Sequence, residues 1–320
     1  MQPCQVGYMS TEMKKNTYIA APAGARRVAC LIINWNGTTD TLELLASLAR
    51  QGKEEVRLDV FIVDNASEAE QLSILKEGLT HVKGLGSAVL IENRRNVGVP
   101  AAYNQAIAMA GRDYDYYLRL DNDVIILDEA LQAMIEGMER NREEGVRLVG
   151  GNIRYYDRPK EDNGGACRFD LVLGRTSIEY PNQDTLCDGV LGCVMLIDRE
   201  VISAFSPSVF LGWLFLTTDE SELSLRCAEM GWKTLYVART IALHKSGRST
   251  CKVKSLSSLY SCRNWSYLAL RYARPRWRKV VVGFRLIATM TYLALKGQMW
   301  RVKAIALGVV AAIRGLKRAG

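Results

Sequence analysis

Short apolar runs recur through the first half of the chain, each closed by a cluster of polar residues. Val28-Ala29-Cys30-Leu31-Ile32-Ile33 ends in Asn34-Trp35-Asn36-Gly37, and Leu58 to Val63 ends in Asp64-Asn65-Ala66-Ser67. Ala88 to Ile91 runs into Glu92 through Gly98, Tyr114 to Leu120 runs into Asp121-Asn122-Asp123, and Val146 to Gly151 closes the series. Runs of this length bounded by turn formers read as strands buried on both faces. The spacers read as helices: one to Arg50, capped by Thr38 or Asp40, one after Ser67 with acids early, Pro100–Ala110, and a long one over Leu127–Glu144. Strands alternating with helices predict an α/β fold, a mostly parallel sheet with helices on both faces.

The second half is less regular. Asn152 to Tyr180 reads as strands and loops, and Cys187 to Ile197 as a strand punctuated by Gly189 and Gly192, where a ligand or another backbone can come close. Leu214-Phe215-Leu216 gives way to Thr217-Thr218-Asp219-Glu220-Ser221-Glu222, a helix start. Asp219 with Glu222 resembles a capping box, and Glu222 can pair with Arg226 one turn on, which leaves Glu220 without a structural task. Thr234 to Ala238 is a further strand, with His244 beyond it. His81 reads as a surface or packing residue.

Charge divides the chain more sharply than hydropathy does. All 34 acidic residues lie at or before Glu229, where 23 basic residues leave a net −11, whereas residues 230–320 hold 19 Lys or Arg and no acid. Such a tail meets something negative. Its apolar runs, Val280 to Leu295 and Ala304 to Ile313, disfavour nucleic acid, and the first is too short to span a bilayer. The tail therefore predicts amphipathic helices on an anionic membrane surface, with packing on the protein's own body as the alternative. Three segments are expected: a loose N-terminal tail over 1–27, in which Met9 or Met13 is a candidate start, a catalytic domain over 28–250, and the basic helical region over 251–320. The eight cysteines form neither a metal-binding spacing nor a small-domain disulfide framework, and no secretory signal core precedes them, so a cytoplasmic setting at the inner face of the membrane is expected.

The polar clusters all follow strands, and in open α/β sheets ligands bind beyond the strands' C-terminal ends. Taken alone, Asp121-Asn122-Asp123 reads either as a turn or as a carboxylate pair projecting to one side for a divalent cation. Four polar clusters at one sheet edge favour the site. The glycine-rich loops of dinucleotide-binding and P-loop proteins are absent after the first strand.

In order, these residues resemble the inverting glycosyltransferases of family 2, of GT-A fold, especially bacterial rhamnosyl- or galactofuranosyltransferase-like enzymes. Val63-Asp64-Asn65-Ala66-Ser67 is similar to V-D-N-x-S, and Asn96-Val97-Gly98 with Asn104 to N-x-G-x-x-x-x-x-N. Asp121-Asn122-Asp123 resembles D-x-D, and Asp219 to Arg226 resembles E-D-x-D-L-x-x-R with its first pair reversed. His244 with Ser246 and the pair Arg263-Asn264 are similar to later elements of the family. The resemblance implies transfer of a sugar from a UDP- or dTDP-linked donor to a glycan or lipid-linked acceptor in cell-surface glycan or glycolipid synthesis. It assigns Asn34, Asp64, Asn65, Arg95 (or Arg94), Asn96, Asp121 and Asn122 to the nucleotide sugar. It assigns Asp123 and His244, with Asp121, to Mg²⁺ or Mn²⁺. Glu220 is implied as the base, with Asp219 the alternative given the reversed pair, and Asp188, Gly189 and Glu222 fall on the acceptor side. Two other readings compete: a sugar-nucleotide nucleotidyltransferase, which lacks its glycine-rich Arg/Lys loop here, and a non-catalytic membrane module, against which the retained acids and His244 argue.

Overall fold

A computed structural model describes residues 9–10, 24–51, 55–245 and 254–318. Its elements run β1 (Met9–Ser10), β2 (Arg26–Asn34), α1 (Thr38–Ala49), β3 (Val56–Asp64), α2 (Ala69–His81), β4 (Ser87–Glu92), α3 (Val99–Ala110) and β5 (Tyr116–Asp121). There follow β6 (Val124–Ile126), α4 (Ala130–Arg140), β7 (Val146–Tyr155), β8 (Asp162–Gly164), β9 (Ala166–Asp170), β10 (Arg175–Glu179), β11 (Thr185–Cys187), β12 (Gly189–Val190) and β13 (Val194–Asp198). The chain continues through α5 (Arg199–Phe205), α6 (Asp219–Glu229), β14 (Lys233–His244), α7 (Lys254–Tyr272), α8 (Trp277–Leu295) and α9 (Met299–Arg318).

The main sheet has the order β1-β4-β3-β2-β5-β13-β7-β14-β11. Strands β4, β3, β2 and β5 are parallel, as the alternating pattern requires. Side chains of β2 alternate between two cores: Val28, Cys30 and Ile32 face α1, α2 and α4, while Ala29 and Leu31 face α3, α5 and α6. That burial on both sides is why the run reads as continuously apolar. The departure from expectation lies in β13, which inserts antiparallel between β5 and β7. Two reversals restore direction, so β7 and β14 again run parallel to β5, and His244 ends at the same edge as Asp121. The helix expected over Leu127–Glu144 is shorter at both ends, because Glu129 sits at a φ of 59° before it and a turn over 141–145 follows it.

Residues 152–180 resolve into β8 and a small sheet, β10-β9-β12, beside the main one. Most of the expected N-terminal tail lies outside the described residues, but Met9–Ser10 pairs with β4. Helices α7–α9 both pack and face outward. Ala269, Val282, Leu286 and Ile305 form one cluster, and Tyr267, Leu268 and Tyr272 close on Leu214 in another. Among the described residues no helix is long and apolar enough to cross a membrane.

Candidate active site

A cavity of about 790 Å³ opens at the C-terminal ends of β2, β5 and β14. Strand β5 ends at Asp121, and the chain turns through Asn122-Asp123 into β6, which pairs with β14. The segment is therefore a turn as well as a carboxylate pair. The turn brings both acids to His244, and ligand atoms of Asp121, Asp123 and His244 all lie within 4.8 Å of one another. His244 Nε2 is 3.2 Å from Asp123 Oδ1. Its other nitrogen, Nδ1, is 3.0 Å from the Asn163 carboxamide in β8. The Asn163 amide nitrogen faces Nδ1, so Nδ1 accepts and Nε2–H donates to Asp123; turning that amide over would make Nδ1–H the donor and free Nε2 for a metal.

Two carboxylates and an imidazole suit Mg²⁺ or Mn²⁺. Burial raises the Asp121 carboxyl above its ordinary pKa, with Arg119 pulling it down and Asp123 adding a smaller push upward. Burial opposes a charge on His244, but Cys193 and the Asp123 carboxylate outweigh it, so the imidazole is raised. A cation among these groups would replace that proton. Tyr103 Oη lies 3.1 Å from Asp121 Oδ1 and fixes the rotamer.

Across the cavity, α6 begins with Asp219 and Glu220. Asp219 is not the helix cap; Thr218 holds that position without a side-chain bond. The capping-box reading fails because a buried cation claims the carboxylate. Arg119, on β5, reaches Asp219 Oδ2 at 3.1 Å and Glu220 Oε2 at 3.6 Å. Its guanidinium lies 4.6 Å from the Tyr103 ring centroid, and its Nε and Nη1 find no hydrogen-bond partner. Gly192 permits this approach, since a Cβ there would come within 2.9 Å of Glu220 Cβ. Asp219 and Glu220 both border the cavity, but Asp219 has 1% side-chain exposure whereas Glu220 keeps 23%. Burial, with Asp219 beside it, raises the Glu220 carboxyl well above the usual range against the pull of Arg119. A carboxylate so tuned can accept a proton near neutral pH.

The approach to α6 is strained: Phe215, Thr217 and Thr218 have φ of 62°, 64° and 62°. Asn264 of α7 grips this loop, its amide nitrogen 3.1, 2.9 and 3.0 Å from the carbonyl oxygens of Leu214, Leu216 and Thr217. Arg263 donates to the carbonyls of Trp213 and Leu214. The Arg263-Asn264 pair thus holds the loop that presents Glu220. Gly98, at φ 86°, passes so close to Phe215 that a Cβ would meet its carbonyl oxygen at 2.6 Å.

The other expected residues divide between the cavity and its support. Asn65, Asn96 and Asn122 line the cavity with Trp35. Asn65 is held by the Val97 amide and by Asn96. Asn34 is fully buried and donates to Asp64 Oδ2 at 2.8 Å, while the Ser67 amide donates to Asp64 Oδ1, so both stand behind the lining. Asn122 ties the turn to the Gly37 carbonyl. Arg94 and Arg95 are exposed beyond the cavity. Asp188 accepts from the Phe169 amide, and Gly189 lies beneath the Phe169 ring. Glu222 turns away, pairing with Arg226 at 2.9 Å as expected and accepting from Tyr272 Oη at 2.6 Å. Ser246 lies outside the described residues. Sequence reasoning missed Arg119 and Asn163, and gave Trp35 no role although it stood in the cluster Asn34-Trp35-Asn36. Arg119 left a signal too, a cation inside a buried strand two residues before Asp121.

A sequence profile described as "Glycosyl transferase family 2" matches residues 30–205. No curated protein matches the chain. Among solved structures, residues 1–349 of TarS from S. aureus align over 79% of this chain and 68% of that one, at 14% identity and a TM-score of 0.52. The chain spans 41% of the longer TarS structure. The mannosyltransferase PcManGT from Pyrobaculum calidifontis, solved with GDP-Man and Mn²⁺, aligns over 91% of this chain and 87% of its own, at 15% identity and a TM-score of 0.54. At these identities the likeness is one of fold.

Proposed function

The chain belongs to glycosyl transferase family 2, with the GT-A fold, and as such a glycosyltransferase we propose that it moves a sugar from a nucleoside-diphosphate donor to a hydroxyl acceptor, inverting the anomeric carbon. One observation carries this reading: a three-ligand cluster, Asp121, Asp123 and His244, and a raised carboxyl, Glu220, line the same cavity. Asp123 and His244, with Asp121, would hold Mg²⁺ or Mn²⁺. When bound, such an ion offsets charge on the departing diphosphate. Trp35, Asn65 and Asn96 border the nucleoside end, with Asp64 oriented behind them by Asn34 and Ser67. A pyrimidine donor, UDP- or dTDP-linked, remains the favoured class; one TarS structure contains UDP and PcManGT contains GDP-Man.

Glu220 holds the acceptor hydroxyl and takes its proton as that oxygen attacks the anomeric carbon. The bond to the diphosphate oxygen breaks on the opposite face. Asp219 is the poorer base because Arg119 pairs with its carboxylate at 3.1 Å and leaves it 1% exposed. Asp219 and Arg119 instead fix the electrostatics around Glu220.

Helices α8 and α9 give the enzyme a membrane seat. Phe284, Trp277, Val280, Ile287 and Leu295 all point outward, with Phe284 70% and Leu295 84% exposed. An apolar face of this extent asks for a partner. With no acidic residue after Glu229, an anionic bilayer on the cytoplasmic side fits both its chemistry and its charge. The acceptor is then a glycan or lipid-linked glycan presented at that surface.

A panel of UDP-, dTDP- and GDP-sugars, scored for nucleoside-diphosphate release, tests the proposal. Release from one donor class, abolished by exhaustive chelation and restored by Mn²⁺ or Mg²⁺, supports it. Turnover that survives chelation contradicts the metal role, and failure of every donor contradicts the transfer reaction.

A further inference from the structure

A second cleft, of about 1060 Å³, lies between the β9–β10 hairpin and the corner where α7 meets α8. Arg168 and Arg175 line it from the hairpin, and Arg274 and Arg278 from the corner, with Trp277 and Val281 at its helical side. The guanidinium groups outnumber their counter-ions. Arg168 is 3.2 Å from Glu179 and Arg274 is 2.6 Å from Glu229, but Arg175 only grazes Asp170 at 4.0 Å. Among the described residues Arg278 meets no carboxylate. Burial, then Arg274 and Arg271 nearby, lowers the Lys279 ammonium below its ordinary pKa, a mark of the same positive field.

The cleft is not isolated. Its neighbour across the hairpin is the catalytic cavity, and β9 borders both: Cys167 lines the cavity, Arg168 and Phe169 the cleft. Thr176 of β10 borders both. Phe169 of the cleft meets Trp265 of the cavity edge to face at 5.9 Å. On its other side the cleft leads onto α8, where Trp277, Val280 and Phe284 begin the exposed apolar face.

A surplus of arginines beside a hydrocarbon-like face suits a ligand with an anionic head and an apolar chain. Guanidinium forks match phosphate oxygens in pairs, which a diffuse basic surface does not. We propose that this cleft binds the phosphate or diphosphate head group of a membrane lipid, whose chain follows α8 and whose attached sugar reaches past Thr176 to Glu220. The inference rests on the glycosyltransferase reading and names its acceptor class, a glycan carried on a lipid phosphate.

The test uses the full chain and an Arg175→Glu/Arg278→Glu variant, both outside the catalytic machinery, with thermal melting and donor hydrolysis as fold controls. Sedimentation with vesicles of phosphatidylcholine plus a long-chain alkyl diphosphate is compared with vesicles of equal surface charge made with phosphatidylglycerol. The wild type is expected to prefer the diphosphate vesicles at least 10-fold, and the variant to lose that preference, any weakening from its changed charge being shared by both vesicle types. Equal binding of both proteins to diphosphate vesicles overturns the proposal, as does a wild type with no preference. If the wild type pellets with no vesicle, the membrane seat is wrong, and calorimetry with a water-soluble octyl diphosphate decides the cleft: binding lost in the variant sustains it, and no binding overturns it. Inorganic pyrophosphate competing as well as octyl diphosphate would also overturn the lipid assignment. Loss of donor hydrolysis in the wild type marks failure of the enzymatic reading, independently of these arms.

Discussion

Replacing Asn264 by alanine should uncouple the base from its support. Asn264 is fully buried on α7, and its amide nitrogen faces three carbonyl oxygens of the loop that leads to Glu220. Two N–H groups serving three acceptors give two full bonds, a net of about 1–3 kcal/mol. The loop they hold has three non-glycine residues in the left-handed region, each costing ~1 kcal/mol, so about 3 kcal/mol of strain stands against that grip. Removing the amide therefore tips a near balance, and the loop should relax. The expected fall in stability is ~2–3 kcal/mol, read as a Tm drop of roughly 3–5 °C for a chain of this size. Displacement of Glu220 by ~1 Å should lower kcat about 100-fold while the donor KM stays within about threefold, because the nucleotide side is untouched. The assay is steady-state nucleoside-diphosphate release beside thermal melting. A Tm that falls while kcat remains within twofold of wild type would refute the coupling.

Arg119→Met strips a buried carboxylate of its cation and should cost about 3–5 kcal/mol by denaturant titration. The same change acts on pH dependence: burial and Asp219 already raise Glu220 to about 7, a base must be deprotonated, and so kcat/KM falls as pH drops through about 7. Losing Arg119 moves that acid limb upward; an unmoved limb would assign the titration to another group. Asn163→Ala frees the His244 ring and should weaken Mn²⁺ binding roughly 10-fold by paramagnetic resonance titration, with kcat at saturating metal little changed. Unaltered Mn²⁺ affinity would remove Asn163 from the metal's support. Gly98→Ala places a Cβ against the Phe215 carbonyl at a positive φ and should cost at least ~2 kcal/mol, so a variant as stable as wild type would show that this contact yields freely.

The parallel core was legible because β2, β3 and β5 are buried on both faces, which mostly apolar runs record despite Asp59 and Arg119 within them. Asp121, Asp123, Glu220 and His244 were legible because strand ends and a helix start fix where side chains emerge. Strand order was not: nothing in Val194–Asp198 announces that it slips antiparallel between β5 and β7, since that choice is made by long-range pairing. The direction of polar side chains was equally hidden. Asn34, Asn65 and Asn122 all follow strands, and all three carboxamides bind the protein's own backbone and side chains rather than stand free. Asp219 and Glu222 matched a capping pattern, but Arg119 and Tyr272, remote in sequence, took them instead. Asn264 could be flagged as part of a pair, while its grip on residues 214–217 exists only once α7 has docked.

Turnover by Glu220→Gln, measured beside binding of the Mn²⁺ nucleoside diphosphate, tests the central claim most directly. Glutamine keeps the shape of the side chain and removes its basicity. The account predicts nucleotide affinity within about threefold of wild type and transfer slowed about 10³-fold. Transfer within tenfold of wild type, with binding intact, would contradict the assignment of Glu220 as the base.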